Sequence, residues 1–116
     1  MEQLFLFFKR EYPDLEISIY KNSFQVIFSG REYCEWTKMY KEKFKEKEDE
    51  KFLLKEQIQT IIMIIHHTYY FDYIKPIIQK CLENFGGLIG NDNDGFIPIY
   101  NIENFSGFCY SWQRYK

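Results

Sequence analysis

The polar string after residue 89 has the residue types of a calcium-binding loop. Gly90-Asn91-Asp92-Asn93-Asp94-Gly95-Phe96-Ile97 puts Asp92 and Asp94 at the third and fifth positions of an EF-hand loop and Gly95 at its sharp turn. However, the first position is a glycine, which has no ligating side chain, and the twelfth is Asn101, where a bidentate Glu is needed. We therefore interpret the string as a solvent-facing hairpin loop and predict no metal site.

His66 and His67 are the two histidines of the chain. Adjacent residues on a helix point about 100° apart, so the two rings cannot easily chelate one ion. We interpret the pair as a helix C-terminal cap or as packing partners of Tyr69 and Tyr70. A catalytic His stays open, but the sequence has no nucleophile elbow, phosphate-binding glycine loop or dinucleotide-binding motif. We therefore predict no catalytic residue, no cofactor and no enzymatic activity.

The length and composition predict one cytoplasmic domain. The 116 residues suit a single domain spanning 1–116, and the net charge of −2 shows no basic footprint for nucleic acid. The longest apolar runs, 4–8 and 61–65, are too short for a membrane span, and the N-terminus lacks the pattern of a secretory signal. Cys34, Cys81 and Cys109 are odd in number and widely spaced, which favours reduced, packed thiols over a disulfide framework.

The composition favours residues with AT-rich codons, and this bias weakens part of what the composition indicates about function. The chain has no Ala and a single Val, whereas Ile, Lys, Phe, Tyr and Asn, which have AT-rich codons, are abundant. We infer a low-GC bacterium or one of its mobile elements as the source. Lysines and aromatic residues are then weaker evidence for nucleic-acid binding than they would be elsewhere.

The periodicity of apolar residues predicts the elements that position these groups. Helices are expected at 2–12, from 33 to 44, at 54–65, and from Asp72 to the pair Gly86-Gly87; strands are expected at 15–20, 24–29, 88–89, 96–100 and 108–113. The charged run 45–51 is interpreted as a solvated helix end or a connecting loop. The fold class is therefore α+β, with an antiparallel sheet built from N-terminal and C-terminal hairpins and packed against three to four helices. Its core is expected between the sheet and the helical stripe of Ile74, Ile78, Leu82 and Phe85.

In residues 85–98 a helix closes on a glycine pair, a strand follows, and an acidic turn leads to the next strand. This stretch resembles the ending of small bacterial immunity proteins from contact-dependent growth inhibition and polymorphic toxin systems. The resemblance implies a non-catalytic inhibitor that binds its cognate toxin domain and blocks the active site or the access of substrate. The alternatives are a phage or mobile-element inhibitor of a host protein and a small nucleic-acid-binding module, in which exposed aromatic residues would stack on bases.

The expected protein-binding surface is the acidic turn. A nuclease toxin must be cationic where it holds phosphates, so its inhibitor should present acids and hydrogen-bond acceptors. The candidates are Asn91, Asp92, Asn93, Asp94 and Glu103. The competing interpretation is that a turn simply needs Asn, Asp and Gly, and the alternative interface is the aromatic set Phe108, Tyr110 and Trp112.

Overall fold

A computed structural model describes residues 2–10, 34–66 and 71–107. The chain forms β1 (Glu2–Phe8), β2 (Cys34–Met39), α1 (Lys47–Lys55), β3 (Thr60–His66), α2 (Phe71–Phe85) and β4 (Leu88–Asn91). Short 3₁₀ turns occupy Lys41–Lys43, Asp94–Phe96 and Phe105–Gly107. The expected hairpin at 15–29 and the expected strand at 108–113 lie outside the described residues.

The four strands form one antiparallel sheet in the order β2-β3-β1-β4. β1 lies inside the sheet, so that Leu4 is opposite Ile64 of β3 on one side and opposite Asn91 of β4 on the other. This arrangement confirms the α+β class with an antiparallel sheet. The described residues contain two α-helices, however, and not the expected three to four.

The sheet is covered on both faces. On one face, Leu4, Leu6 and Phe8 of β1 pack with the buried residues of α2. On the other face, Phe5 and Phe7 pack with Leu53 of α1 and with the loop that follows β4. Residues 4–8 are therefore all at most 4% exposed.

The expected helices at 2–12 and 54–65 are wrong over most of their length. Glu2–Phe8 and Thr60–His66 are strands, and only the end of α1 falls within the second predicted helix. A strand that is buried on both faces has a continuous apolar run instead of alternation, and such a run also contains the helical spacings. The spacing of Ile58, Ile61, Ile62 and Ile65 therefore fits either structure.

The expected helix from 33 to 44 is also wrong. Residues Cys34–Met39 form an edge strand paired with β3, and the Lys41–Lys43 turn follows it. Trp36 and Met39 pack on opposite faces of the sheet, as an odd spacing in a strand requires. The helix was predicted from the 4-residue spacing of Trp36, Tyr40 and Phe44, but Tyr40 and Phe44 flank the turn that follows the strand, so the three residues do not belong to one element.

The charged run 45–51 was predicted as a solvated helix end or a loop, and its residues 47–51 form the start of α1. Its residues are exposed except for Asp49, which is half-buried. The helix buries Leu53 and leaves Leu54 79% exposed.

Helix α2 confirms the prediction made for it. Its buried side is Ile74, Ile77, Ile78, Cys81 and Leu82, with Phe85 partly buried beside them. The helix begins one residue earlier than predicted, at Phe71, so Asp72 lies in its first turn, and Pro76 lies inside the helix. Gly86 and Gly87 end it with φ angles of 72° and 92°, and the Gly86 N–H donates to the Leu82 carbonyl oxygen at 2.8 Å.

The C-terminal hairpin is shorter than expected. β4 is a strand, but residues 96–100 form no second strand, and the return of the chain is a single bridge between Ile89 and Tyr100. Pro98 has no N–H to donate, which is consistent with the interruption. None of the helices within the described residues is long and apolar enough to cross a membrane.

Candidate functional site: the loop after β4

The loop at residues 91–97, called the acidic loop below, projects from the edge of the sheet beside α1. It starts at the end of β4, and the chain returns when Ile89 and Tyr100 exchange two backbone hydrogen bonds of 2.9 Å. A Cβ atom built on Gly95 would lie 3.8 Å from the Cβ of Glu48, so the loop touches the first turn of α1. The acidic turn therefore rests on a helix and is not a free hairpin tip.

Phe96 anchors the loop in the aromatic core. Its side chain is 2% exposed, and its ring centroid lies 5.2 Å from Phe5, 4.8 Å from Phe7 and 5.4 Å from Phe44. Phe96 has a φ of 63°, a left-handed conformation that is unfavourable for a bulky residue. Such a conformation persists where the surrounding packing determines it, as the buried ring does here.

Three side-chain hydrogen bonds fix the course of the backbone on either side of Phe96. Asn91 Nδ2 donates to the Pro98 carbonyl oxygen at 2.9 Å, and Asn93 Nδ2 donates to the Ile97 carbonyl oxygen at 2.7 Å. The Gly95 N–H donates to Asp49 Oδ1 at 2.8 Å, which ties the loop to α1. The loop is thus held by contacts to its own backbone, to α1 and to the core.

The structure separates the predicted binding residues by exposure. Asp92, Asn93 and Asp94 are exposed on the acidic loop, whereas Asn91 is 1% exposed and its amide group is used inside the loop. Glu103 is exposed in a separate turn, where its N–H donates to Asn101 Oδ1 at 3.0 Å. Asp92 and Asp94 are therefore exposed together on the acidic loop, whereas Glu103 belongs to a different turn.

Sequence reasoning missed two residues of this site. Asp49 was counted as part of a solvated charge run, and its bond to Gly95 links positions far apart in the sequence, so no local pattern could indicate it. Ile97 was expected to be part of a strand, but it is 61% exposed on the acidic loop. A single exposed apolar side chain is ordinary on a protein surface, so Ile97 adds an apolar contact group and does not by itself mark a binding surface.

Within the part of the chain that the structure describes, no three His, Cys, Asp or Glu side chains converge as metal ligands. In the calcium-like string, Asn91 turns its amide toward Pro98, and Asn101 Oδ1 accepts the N–H groups of Glu103 and Asn104. His66 lies at the end of β3 with 1% exposure, and His67 lies outside the described residues.

The comparisons with known proteins provide no relative from which a function could be transferred. No protein-family model matches the chain, and neither the search of curated proteins nor the search of solved structures finds a significant match.

Proposed function

We propose that this chain is a non-catalytic, cytoplasmic inhibitor that binds a toxin domain, in the manner of a bacterial immunity protein. The observation that carries the proposal is the acidic loop, which is held from both sides while Asp92 and Asp94 remain exposed. The partner surface would be cationic, as the phosphate-binding cleft of a nuclease is.

A fixed loop is favourable for tight binding because little conformational entropy remains to be lost. Ordering a mobile side chain at an interface costs about 0.5–1.5 kcal/mol, and a loop costs more. Here the ring of Phe96 and the bond from Gly95 to Asp49 supply that order before any partner arrives. The binding free energy can then come from new contacts.

The residues of the acidic loop would make different contributions to such an interface. The carboxylates of Asp92 and Asp94 would steer the encounter with a cationic cleft and exclude acidic partners. Ile97, 61% exposed, offers an apolar contact that becomes buried on binding. Asn91 would contribute as a positioning residue because its amide is bonded to Pro98.

The test is protection against the toxin domain encoded by the gene next to this one, measured as survival of a bacterial host that expresses both. The double variant Asp92→Lys with Asp94→Lys should fold normally, because both side chains are exposed, and should associate more slowly and protect less. Two reversed charges at a rim change the association rate most at low salt, so binding is measured at two ionic strengths.

The matched control reverses two exposed acids on α2, on the other face of the sheet: Asp72→Lys with Glu83→Lys. It carries the same change in net charge and should protect as well as the wild type, even if Asp72 contributes to the stability of its helix. Full protection by the acidic-loop variant, with an unchanged association rate at low salt, would place the interface elsewhere. A neighbouring gene product that is harmless, or toxic but not neutralised by the wild type, would contradict the inhibitor proposal itself.

A further inference from the structure

A second concave surface lies away from the acidic loop, where the ends of β1, α1 and α2 meet. It is an open cleft of about 860 Å³ bounded by the end of β1, the C-terminal end of α1 and the C-terminal end of α2. None of residues 91–97 lines it. Its size falls within the range of small-molecule and cofactor sites, about 300–1,000 Å³.

The charge of the cleft is opposite to that of the whole chain. Lys9, Arg10 and Lys55 line it, and Glu56 is the one carboxylate among its lining residues. Lys9 Nζ lies 3.5 Å from Glu56 Oε2, an exposed ion pair that compensates one cation at most. The cleft therefore keeps an excess of positive charge in a protein whose formal net charge is −2.

The remaining lining has flat apolar surface and amide groups. Phe52 and Phe85 are both half-buried, so part of each ring faces the cleft, and Asn84 and Asn101 supply side-chain amides beside them. Aromatic rings stack on bases of any sequence, and amides match the hydrogen-bonding edges of a base. Arg and Lys bind phosphate oxygens through charge-assisted hydrogen bonds.

The backbone at Gly87, which lines this cleft, is packed tightly against β1. A Cβ atom there would collide with the Phe7 carbonyl oxygen and with the ring of Phe8, and its φ is +92°. The backbone of the α2 terminus thus lies directly on β1, and any ligand in the cleft would meet side chains from three elements that are held together by the core.

We propose that this cleft binds a nucleoside phosphate, with the phosphate at Arg10 and Lys55 and the base against Phe52 or Phe85. The ligand could be a free nucleotide or the phosphorylated end of a single strand, because the chemistry that recognises them is the same. The site is separate from the acidic loop and does not depend on the proposed inhibitor function.

The experiment is calorimetric titration of the full chain with AMP, adenosine and inorganic phosphate. A short single-stranded thymidine oligonucleotide, with and without a 5′ phosphate, distinguishes the two sources. AMP or the phosphorylated oligonucleotide should bind, and binding should weaken as ionic strength rises. Lys55→Gln and Arg10→Gln should each weaken it about tenfold or more, the scale of one lost charged hydrogen bond.

The matched control is Lys51→Gln, which removes an exposed cation from the same helix but outside the cleft. It should change the affinity by less than about twofold, and the Asp92→Lys with Asp94→Lys variant should keep it too. The proposal fails if neither AMP nor the phosphorylated oligonucleotide binds, if adenosine binds as tightly as AMP, or if Lys51→Gln weakens binding as much as Lys55→Gln. Inorganic phosphate that binds as tightly as AMP would overturn the assignment of the base to the aromatic rings.

Discussion

Cys81 illustrates how burial controls the chemistry of a single side chain. It is 1% exposed in the core between α2 and the sheet, and loss of solvation raises the pKa of its thiol from 9.0 to about 12. The reactive form of cysteine is the thiolate, which is scarce below that pKa. Cys81 is thus a packed thiol in the described core, as the sequence predicted.

We expect Cys81 to react with thiol reagents only when the protein unfolds. In a variant with Cys34→Ser and Cys109→Ser, colour release from an aromatic disulfide reagent at pH 8 should be slow and should become fast in denaturant. The folded-state pKa is the higher one, so the thiol's contribution to stability is complete below pH 9 and is lost as pH rises toward about 12. A fast reaction of the native variant would contradict the burial of this residue.

Gly90 is required because the acidic loop folds back directly over it. A Cβ atom at Gly90 would lie 2.9 Å from both the Cβ and the carbonyl oxygen of Phe96, closer than real side chains approach. Gly90→Ala should therefore lower the free energy of unfolding by about 1–3 kcal/mol, measured by urea titration. Gly107→Ala is the control, because a Cβ there meets nothing within 4 Å, and it should change stability by less than about 0.5 kcal/mol. Equal effects of the two variants would show that Phe96 does not pack over Gly90.

At the scale of elements, α2 carries the core of one face of the sheet. Ile78 and Leu82 are at most 1% exposed and pack with Leu4 and Leu6 of β1. Ile78→Ala or Leu82→Ala should each cost about 2–5 kcal/mol, from lost apolar contact and the cavity that remains. The control Gln79→Ala changes an exposed residue of the same helix and should cost less than about 0.5 kcal/mol. Costs below that value at both Ile78 and Leu82 would contradict the assigned face.

The elements differ in how well the sequence predicts them. α2 was found because one face is polar and two glycines end it, so its period and its boundary are both visible in the residues. β1 and β3 were mistaken for helices because both of their faces are buried, which removes the alternation that identifies a strand. Whether such a segment is a strand or a helix depends on whether a second layer covers its other face. The residues of one strand do not encode that layer.

The acidic loop was located correctly in the sequence, but its support was not. The density of Asn, Asp and Gly indicates a turn at 90–95 by local chemistry alone. The contacts that hold it, from Phe96 to Phe5 and Phe44 and from Gly95 to Asp49, join segments distant in the chain. Asn91 was predicted as a binding residue and is buried with its amide on Pro98, which a composition pattern cannot distinguish from exposure.

At the scale of the whole molecule, a net charge near zero hides two regions of opposite sign. The first turn of α1 carries Glu48, Asp49 and Glu50 beside the acidic loop, and its last turn carries Lys55 beside the basic cleft. Both placements are favourable for the helix dipole. A nine-residue helix is roughly 13 Å long, more than the ~8 Å screening length at physiological salt. The acidic end of α1 can therefore attract a cationic partner, and its basic end can attract an anionic one.

The central position of β1 has a consequence for how the protein is made. Synthesis proceeds from the N-terminus, so the strand Glu2–Phe8 leaves the ribosome before β3 and β4, which flank it in the sheet. The backbone of Leu4 can be paired on both sides only after Ile64 and then Asn91 have been synthesised. During that time, five consecutive apolar residues, from Leu4 to Phe8, have neither covering layer in place. Exposed segments of this kind bind chaperones or aggregate, so the yield of folded protein in a cell should depend on shielding of the nascent strand as much as on final stability.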